Sequence, residues 1–204
     1  MTGIINYSAG NAPSVLSAVR KLGADASLIS TSDELIAGGY SNLILPGVGA
    51  ADTTIASLRE IGILTPLENL VLNYKIPFLG ICIGMQILFD HSEEGDAKCL
   101  GWLKGKVVKF DNSRVKVPQM GWNKTRFVKD TPITVKGNED FFYFVNSYHA
   151  VPDNDSDIMS YTDYDGDFVS SVSSGNIYAT QFHCEKSGEA GFRVLSKFIA
   201  LGVE

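Results

Sequence analysis

The segment Phe78-Leu79-Gly80-Ile81-Cys82-Ile83-Gly84-Met85-Gln86-Ile87-Leu88-Phe89 limits the possible folds of this chain more than any other. An apolar run reading as a buried strand ends in Gly-x-Cys-x-Gly, and a helical stretch follows at once. Glycines two residues either side of Cys82 suit a sharp strand-to-helix turn, because a side chain at either place would collide as the two elements approach. Such a turn is the cysteine counterpart of the elbow that exposes a nucleophilic serine. It aims the sulfur out of the sheet at the carboxyl ends of the strands, where open α/β sheets place their ligands. The helix N-terminus would also favour thiolate over thiol. The competing reading is a buried structural cysteine beside two turn glycines, since free cysteine is readily buried.

The rest of the first half supplies the elements such a turn needs. Ile4–Tyr7, Ser27–Ile29, Leu43–Leu45 and Pro77–Ile81 read as short apolar strands. Between them lie a turn at Ala9–Pro13, a helix marked by Val15, Leu16, Val19 and Leu22, and helical stretches at Thr53–Ile61 and Leu64–Tyr74. Strands alternating with helices imply crossover connections and a parallel sheet covered on both faces. The second half reads differently. Lys104–Phe110, Phe141–Asn146, Ile158–Tyr161, Val169–Val172 and Ile177–Phe182 are strand-like, joined by turn-rich links that suggest antiparallel hairpins. A last helix starts near Ser187, with Ala190, Val194, Leu195, Phe198 and Ile199 as its buried stripe. The expected fold is α/β, one domain over residues 1–204, with a central mostly parallel sheet flanked by helices and antiparallel strands in its C-terminal half.

Composition narrows the function classes. A net charge of −6 suggests no basic face for nucleic acid or an anionic membrane. No apolar run approaches the ~18 residues that span a bilayer, and Met1–Tyr7 carries no basic leader. Three cysteines at irregular spacing (Cys82, Cys99, Cys184) argue against a disulfide framework. The expectation is a soluble, reduced, cytoplasmic protein in which a special cysteine is more often reactive than structural.

A second segment, Ile177-Tyr178-Ala179-Thr180-Gln181-Phe182-His183-Cys184-Glu185-Lys186-Ser187, offers a base. If the strand stays extended to its end, His183 and Glu185 share one face while Phe182 and Cys184 share the other. A carboxylate two residues beyond an imidazole can accept from one ring nitrogen and leave the other to take the thiol proton. The order Cys82, His183, Glu185 then follows the logic of a catalytic triad. The plainer reading is a strand-end histidine with a solvated glutamate. Metal binding by His183, Cys184 and Glu185 fits poorly, because consecutive positions face opposite ways and no second ligand pair exists at zinc spacing. His91, placed in or just after a helix, and His149, placed in a loop, lack the same pairing.

Gly80–Gln86 and Gln181–Ser187 resemble the two signatures of class I, triad-type glutamine amidotransferases. Asn6-Tyr7-Ser8-Ala9-Gly10-Asn11, Leu45-Pro46-Gly47-Val48-Gly49, Pro118-Gln119-Met120-Gly121-Trp122-Asn123 and Tyr143-Phe144-Val145-Asn146-Ser147-Tyr148-His149 narrow the resemblance to the glutaminase subunits of imidazole glycerol phosphate synthases. It runs from the first strand to the last helix. Pro-Gly-Val-Gly and Met-Gly-Trp-Asn are its specific parts.

The resemblance implies that Cys82 attacks the side-chain amide of glutamine through a thioester, with His183 as base and Glu185 as its orienter. It implies an oxyanion hole from the backbone at Ile83 and Val48, where the flanking glycines make a peptide flip cheap. Gly47, Gly49, Gln86, Glu94, Ser147 and Tyr148 match positions that hold glutamine, and Glu94 is a counter-charge for the α-amino group or else a solvated loop carboxylate. Asn11, Met120, Trp122, Asn123, Tyr143 and Lys186 match positions facing the synthase, with core packing as the alternative for Trp122. The implied partner is a cyclase subunit with a (β/α)8 barrel, in a heterodimer of histidine biosynthesis, and no cofactor or metal is implied. Two departures stand out: Cys184 where the family usually has Pro, and Asn146 where many members carry His near the expected interface. Competing readings are a glutaminase feeding a sugar-modifying synthase, a non-catalytic binding subunit, and a stand-alone cysteine protease.

Overall fold

The computed structural model of the chain describes residues 1–7, 11–164 and 166–202. Ser8, Ala9 and Gly10, which carry part of the first expected turn, lie outside the described residues. The first half alternates as expected: β1 (Thr2–Ile5), α1 (Ala12–Lys21), β2 (Ala26–Ile29), α2 (Ser32–Ala37), β3 (Asn42–Leu45), α3 (Ala51–Glu60), α4 (Leu64–Glu68), β4 (Phe78–Ile81) and α5 (Ile83–Gln86). After it come β5 (His91–Ser92), β6 (Ala97–Lys98), β7 (Gly105–Lys109), β8 (Gln119–Phe127), β9 (Glu139–Asn146), β10 (Tyr148–Pro152), β11 (Ile158–Asp163), β12 (Asp167–Ser174), β13 (Ile177–Thr180) and α6 (Gly188–Ala200).

One sheet holds all of these strands. Its parallel part runs in the order β2-β1-β3-β4-β13, and β12, β10 and β7 extend it antiparallel. The parallel strands are apolar throughout because both faces are covered. In β1, Ile4 and Ile5 are both fully buried and belong to core clusters on opposite faces. In β3 and β4 the same alternation separates Leu43, Leu45 and Phe78 from Ile44, Leu79 and Ile81.

Several expectations are corrected. The helix α2 had no apolar stripe to betray it; a capping box makes it, with Thr31 Oγ1 accepting from the Glu34 N–H and Glu34 Oε2 from the Thr31 N–H, each at 3.2 Å. The expected helix Leu64–Tyr74 is split, its second half being a wide π turn over Asn69–Asn73. The helix after Cys82 is a single turn rather than a full helix, so its dipole gives the sulfur less than a long helix would. His149 lies in β10 rather than in a loop, paired with Val108. Its ring packs on Phe110 at 4.6 Å and Phe168 at 5.8 Å, and burial lowers its pKa. His91 sits in the two-residue strand β5, its ring bonded to Asp96.

Candidate active site

Register brings the site together. Leu45 of β3 pairs with Gly80, and Ile81 of β4 pairs with Thr180 of β13, all parallel. The residues that follow these strands, Gly47–Gly49, Cys82 and His183, therefore leave the same end of the sheet side by side, as ligand-binding edges of such sheets do.

Cys82 holds the tip of the turn at φ +56° and ψ −109°. That is the left-handed region, which costs a side-chain-bearing residue about 1–3 kcal/mol and is kept where the surroundings enforce it. They do so through backbone. A Cβ on Gly80 would come 2.4 Å from Gly84 O, and one on Gly84 would come 2.1 Å from Leu45 O. The two glycines read from the sequence are thus both required by close approach, and they press the end of β3 against the Cys82 turn.

His183 is 1% exposed, with Cys82 and Glu185 both close enough to act on its charge. Its Nδ1 lies 2.8 Å from Glu185 Oε1. Burial opposes the charged ring, but Cys82 and Glu185 outweigh it and carry the pKa up to about 10. The pairing exists for a reason other than the expected one. The strand ends at Thr180, and Cys184–Lys186 is a 3-10 turn, so Glu185 curls back beneath His183 rather than following it along an extended face. Ser187 Oγ clamps this turn, donating to His183 O at 2.6 Å and accepting from the Tyr143 N–H at 2.9 Å. The His183 N–H donates to Tyr143 O at 3.0 Å, and Phe182 stacks on Phe142 with ring centroids 4.0 Å apart. Ser187 as a clamp escaped the sequence reading, although a serine opening a helix was a signal for a capping role.

A cavity of about 410 Å³ opens over Cys82 and His183, bordered by Val48, Gly49, Ile83, Gln86, Glu94, Ser147, Tyr148 and Lys186. Gly47 lies behind it: a Cβ there would meet Tyr7 Oη at 2.0 Å and Ile83 Cγ2 at 2.2 Å. Tyr7 is buried, which pushes its phenol up to about 12 and keeps it neutral. Val48 is 42% exposed and Gly49 has φ +113°, so the strap between them and the cavity is open to solvent. Glu94 is half-buried; burial raises its pKa, and a hydrogen bond from the Ala51 backbone acts against that rise. Ser147 O accepts from the Phe110 N–H, and Tyr148 O from Gln86 Nε2 and Asn146 Nδ2, each at 3.0 Å. The carbonyls at this corner are therefore occupied within the fold.

The residues expected to face a partner divide into two groups. Met120 and Trp122 are 66% and 54% exposed on β8, which rules out core packing for Trp122. Trp122 pairs with Tyr143 across the β8–β9 ladder, their rings edge to face at 5.9 Å. Phe141, exposed two residues before Tyr143 on the same side of β9, belongs to this face and was missed; alternation along Phe141, Tyr143 and Val145 was its signal. Asn123 Nδ2 donates to Asp163 O at 3.3 Å, and Lys186 stands exposed at the cavity rim. Asn11 instead reaches inward, its Nδ2 donating to Glu185 Oε1 beside His183. Asn146 is 5% exposed and lines the cavity, deeper than the interface position expected for it. Cys184 is buried in the core, which pushes its thiol up to about 12.

Among the described residues no cluster of three His, Cys, Asp or Glu side chains could hold a metal, and no helix is long and apolar enough to cross a membrane. A family model of class-I glutamine amidotransferases matches residues 4–200. The imidazole glycerol phosphate synthase subunit HisH of Leptospira interrogans is 39% identical over 206 residues, covering 98% of this chain and 100% of the relative. The protein of the same name from Dehalococcoides mccartyi is 42% identical over 206 residues, covering 100% of this chain and 98% of the relative. A solved glutamine amidotransferase shares the fold, with a TM-score of 0.78 at 20% identity, covering 100% of this chain and 99% of that one. With the Cys82 turn and the His183 turn both inside the matched span, the chain belongs to the class-I glutamine amidotransferase family.

Proposed function

We propose that the chain, acting as one amidotransferase domain, hydrolyses glutamine at Cys82 and passes the ammonia to the synthase subunit of imidazole glycerol phosphate synthase. The observation that carries this reading is the grouping at one sheet edge: Cys82 on its strained turn, and His183 lining the same cavity with its Nδ1 2.8 Å from Glu185. Cys82 Sγ attacks the side-chain carbonyl carbon of glutamine, and the developing oxyanion is met by the Ile83 N–H and a donor from Gly47-Val48-Gly49. His183 gives its proton to the leaving nitrogen, the C–N bond breaks, and a γ-glutamyl thioester remains. Water then attacks the thioester as His183 takes its proton. The C–S bond breaks, and glutamate and the free thiol are restored.

Gln86, Glu94 and the backbone at Ser147-Tyr148 border the space for the substrate, with Glu94 opposite its α-amino group. The relatives named above are subunits of imidazole glycerol phosphate synthase, which favours that acceptor over a sugar-modifying synthase. The face of exposed Met120 and Trp122 with half-buried Tyr143, and Lys186 at the nearby cavity rim, supports docking of a cyclase partner with a (β/α)8 barrel, while Asn123 alternates to the other face of β8; large aromatics ringed by polar groups are common interface anchors. Asn11, bonded to Glu185, would join that surface to the triad. In the test, Cys82→Ala is expected to abolish glutamate release, and persistent release would refute the nucleophile assignment.

A further inference from the structure

Gln181 has no role in the mechanism so far, yet it is fully buried against the nucleophile. Its Nε2 lies 3.6 Å from Cys82 Sγ. Its Oε1 accepts from Gln86 Nε2 at 2.9 Å, and that same Nε2 donates to Tyr148 O at 3.0 Å. Its backbone N–H is held by Ser170 O at 2.9 Å.

We propose that Gln181 is a hydrogen-bond donor to the Cys82 thiolate, its amide turned the right way by a one-way relay that starts at the Tyr148 carbonyl. The proposal rests on Cys82 being the nucleophile. The orientation of an amide is otherwise ambiguous, because oxygen and nitrogen have nearly the same shape. Here it is not. A carbonyl oxygen only accepts, so the Gln86 atom beside Tyr148 O must be its NH2. That NH2 presents its second hydrogen to Gln181, whose facing atom must then be Oε1. The Gln181 NH2 is left facing the sulfur. Turning over either amide sets two acceptors or two donors face to face in a buried site, which is costly.

The relay acts on one protonation state of the sulfur. As a thiol, Cys82 can donate to Val145 O, 3.8 Å away. As a thiolate it can only accept, and Gln181 Nε2 and His183 are the donors beside it. A donor fixed in place before ionisation favours the charged form. Gln86 is then a positioning residue for Gln181 as well as a wall of the substrate cavity.

Peptide-resolved alkylation of Cys82 by iodoacetamide, followed against pH in the intact chain, tests this without glutamine. Gln181→Met should move the midpoint up by about one pH unit, slowing alkylation near neutral pH by about tenfold. Gln181→Glu, which sets an acceptor against the sulfur, should move it at least as far. Gln86→Leu, which frees the Gln181 amide to turn, should move it less but in the same direction, and it carries the test if the Gln181 variants do not fold. Midpoints unchanged in folded variants would overturn the proposal. Failure of the nucleophile reading is a separate result: glutamate release surviving in Cys82→Ala.

Discussion

His183 Nδ1 and Glu185 Oε1 lie 2.8 Å apart, with both side chains 1% exposed, so the imidazole is fixed in one orientation without help from solvent. An amide at position 185 keeps the shape and loses the charge that steadies the ring. Glu185→Gln is expected to lower kcat for glutamine hydrolysis by roughly 10²–10⁴-fold with a smaller change in KM. Steady-state glutamate release measures it, and a loss under threefold would show that Glu185 does not orient the base.

His183, with Cys82 and Glu185 both favouring its charged form, sets a pH dependence of stability. The His183 pKa rises from 6.5 to about 10 on folding, so between those values the native chain holds a proton that the unfolded chain releases. Stability falls with pH wherever the native state binds more protons. The His183 contribution is therefore fully present below about pH 6.5 and lost as pH rises through about 10. Urea unfolding at stepped pH should show this decline in the native chain and a shallower one in His183→Ala.

Trp122 is exposed and touches Tyr143 edge to face, so removing it leaves no hole in the core. Trp122→Ala should change unfolding free energy by no more than about 0.5 kcal/mol. Affinity for the purified synthase subunit should drop by at least tenfold, as for a truncated aromatic anchor. Calorimetric titration reads the affinity, and equal binding by the variant would move the interface elsewhere.

Position 184 offers a stabilising change. His183 has φ −84° and ψ 99°, an extended geometry suited to a residue before proline, and residue 184 opens the 3-10 turn. Cys184→Pro is expected to preserve glutaminase activity and raise stability by about 0.4–1 kcal/mol, through restriction of the unfolded chain. Denaturant melts of the two chains decide the sign.

The parts of the fold legible in the sequence were those written in periodicity and in glycine. The apolar runs of β1, β3 and β4 declared a sheet buried on both faces, and Gly80 and Gly84 declared the turn around Cys82. β8 stayed hidden because Trp122, Lys124 and Arg126 lie exposed and carry no apolar run. His149 looked like a loop residue because its partners Phe110, just past β7, and Phe168 of β12 are distant in the sequence. The pairing of His183 with Glu185 was expected from a strand running on through residue 185; the strand ends at Thr180, and a turn brings the same two side chains together. Gln181 carries no sign of its role in the sequence, since only three-dimensional contacts tell which end of an amide faces a sulfur.

Cys82 stands at φ +56°, where an uncrowded glycine would rest more easily than any side chain. The residue proposed to carry the chemistry is thus one that its own backbone would readily give up. Copies that have lost the thiol to glycine would fold at least as well as working ones, and no quality control that senses only unfolding could tell them apart. With Cys82 as the proposed nucleophile, it is the demand for ammonia that keeps the sulfur in its uncomfortable place.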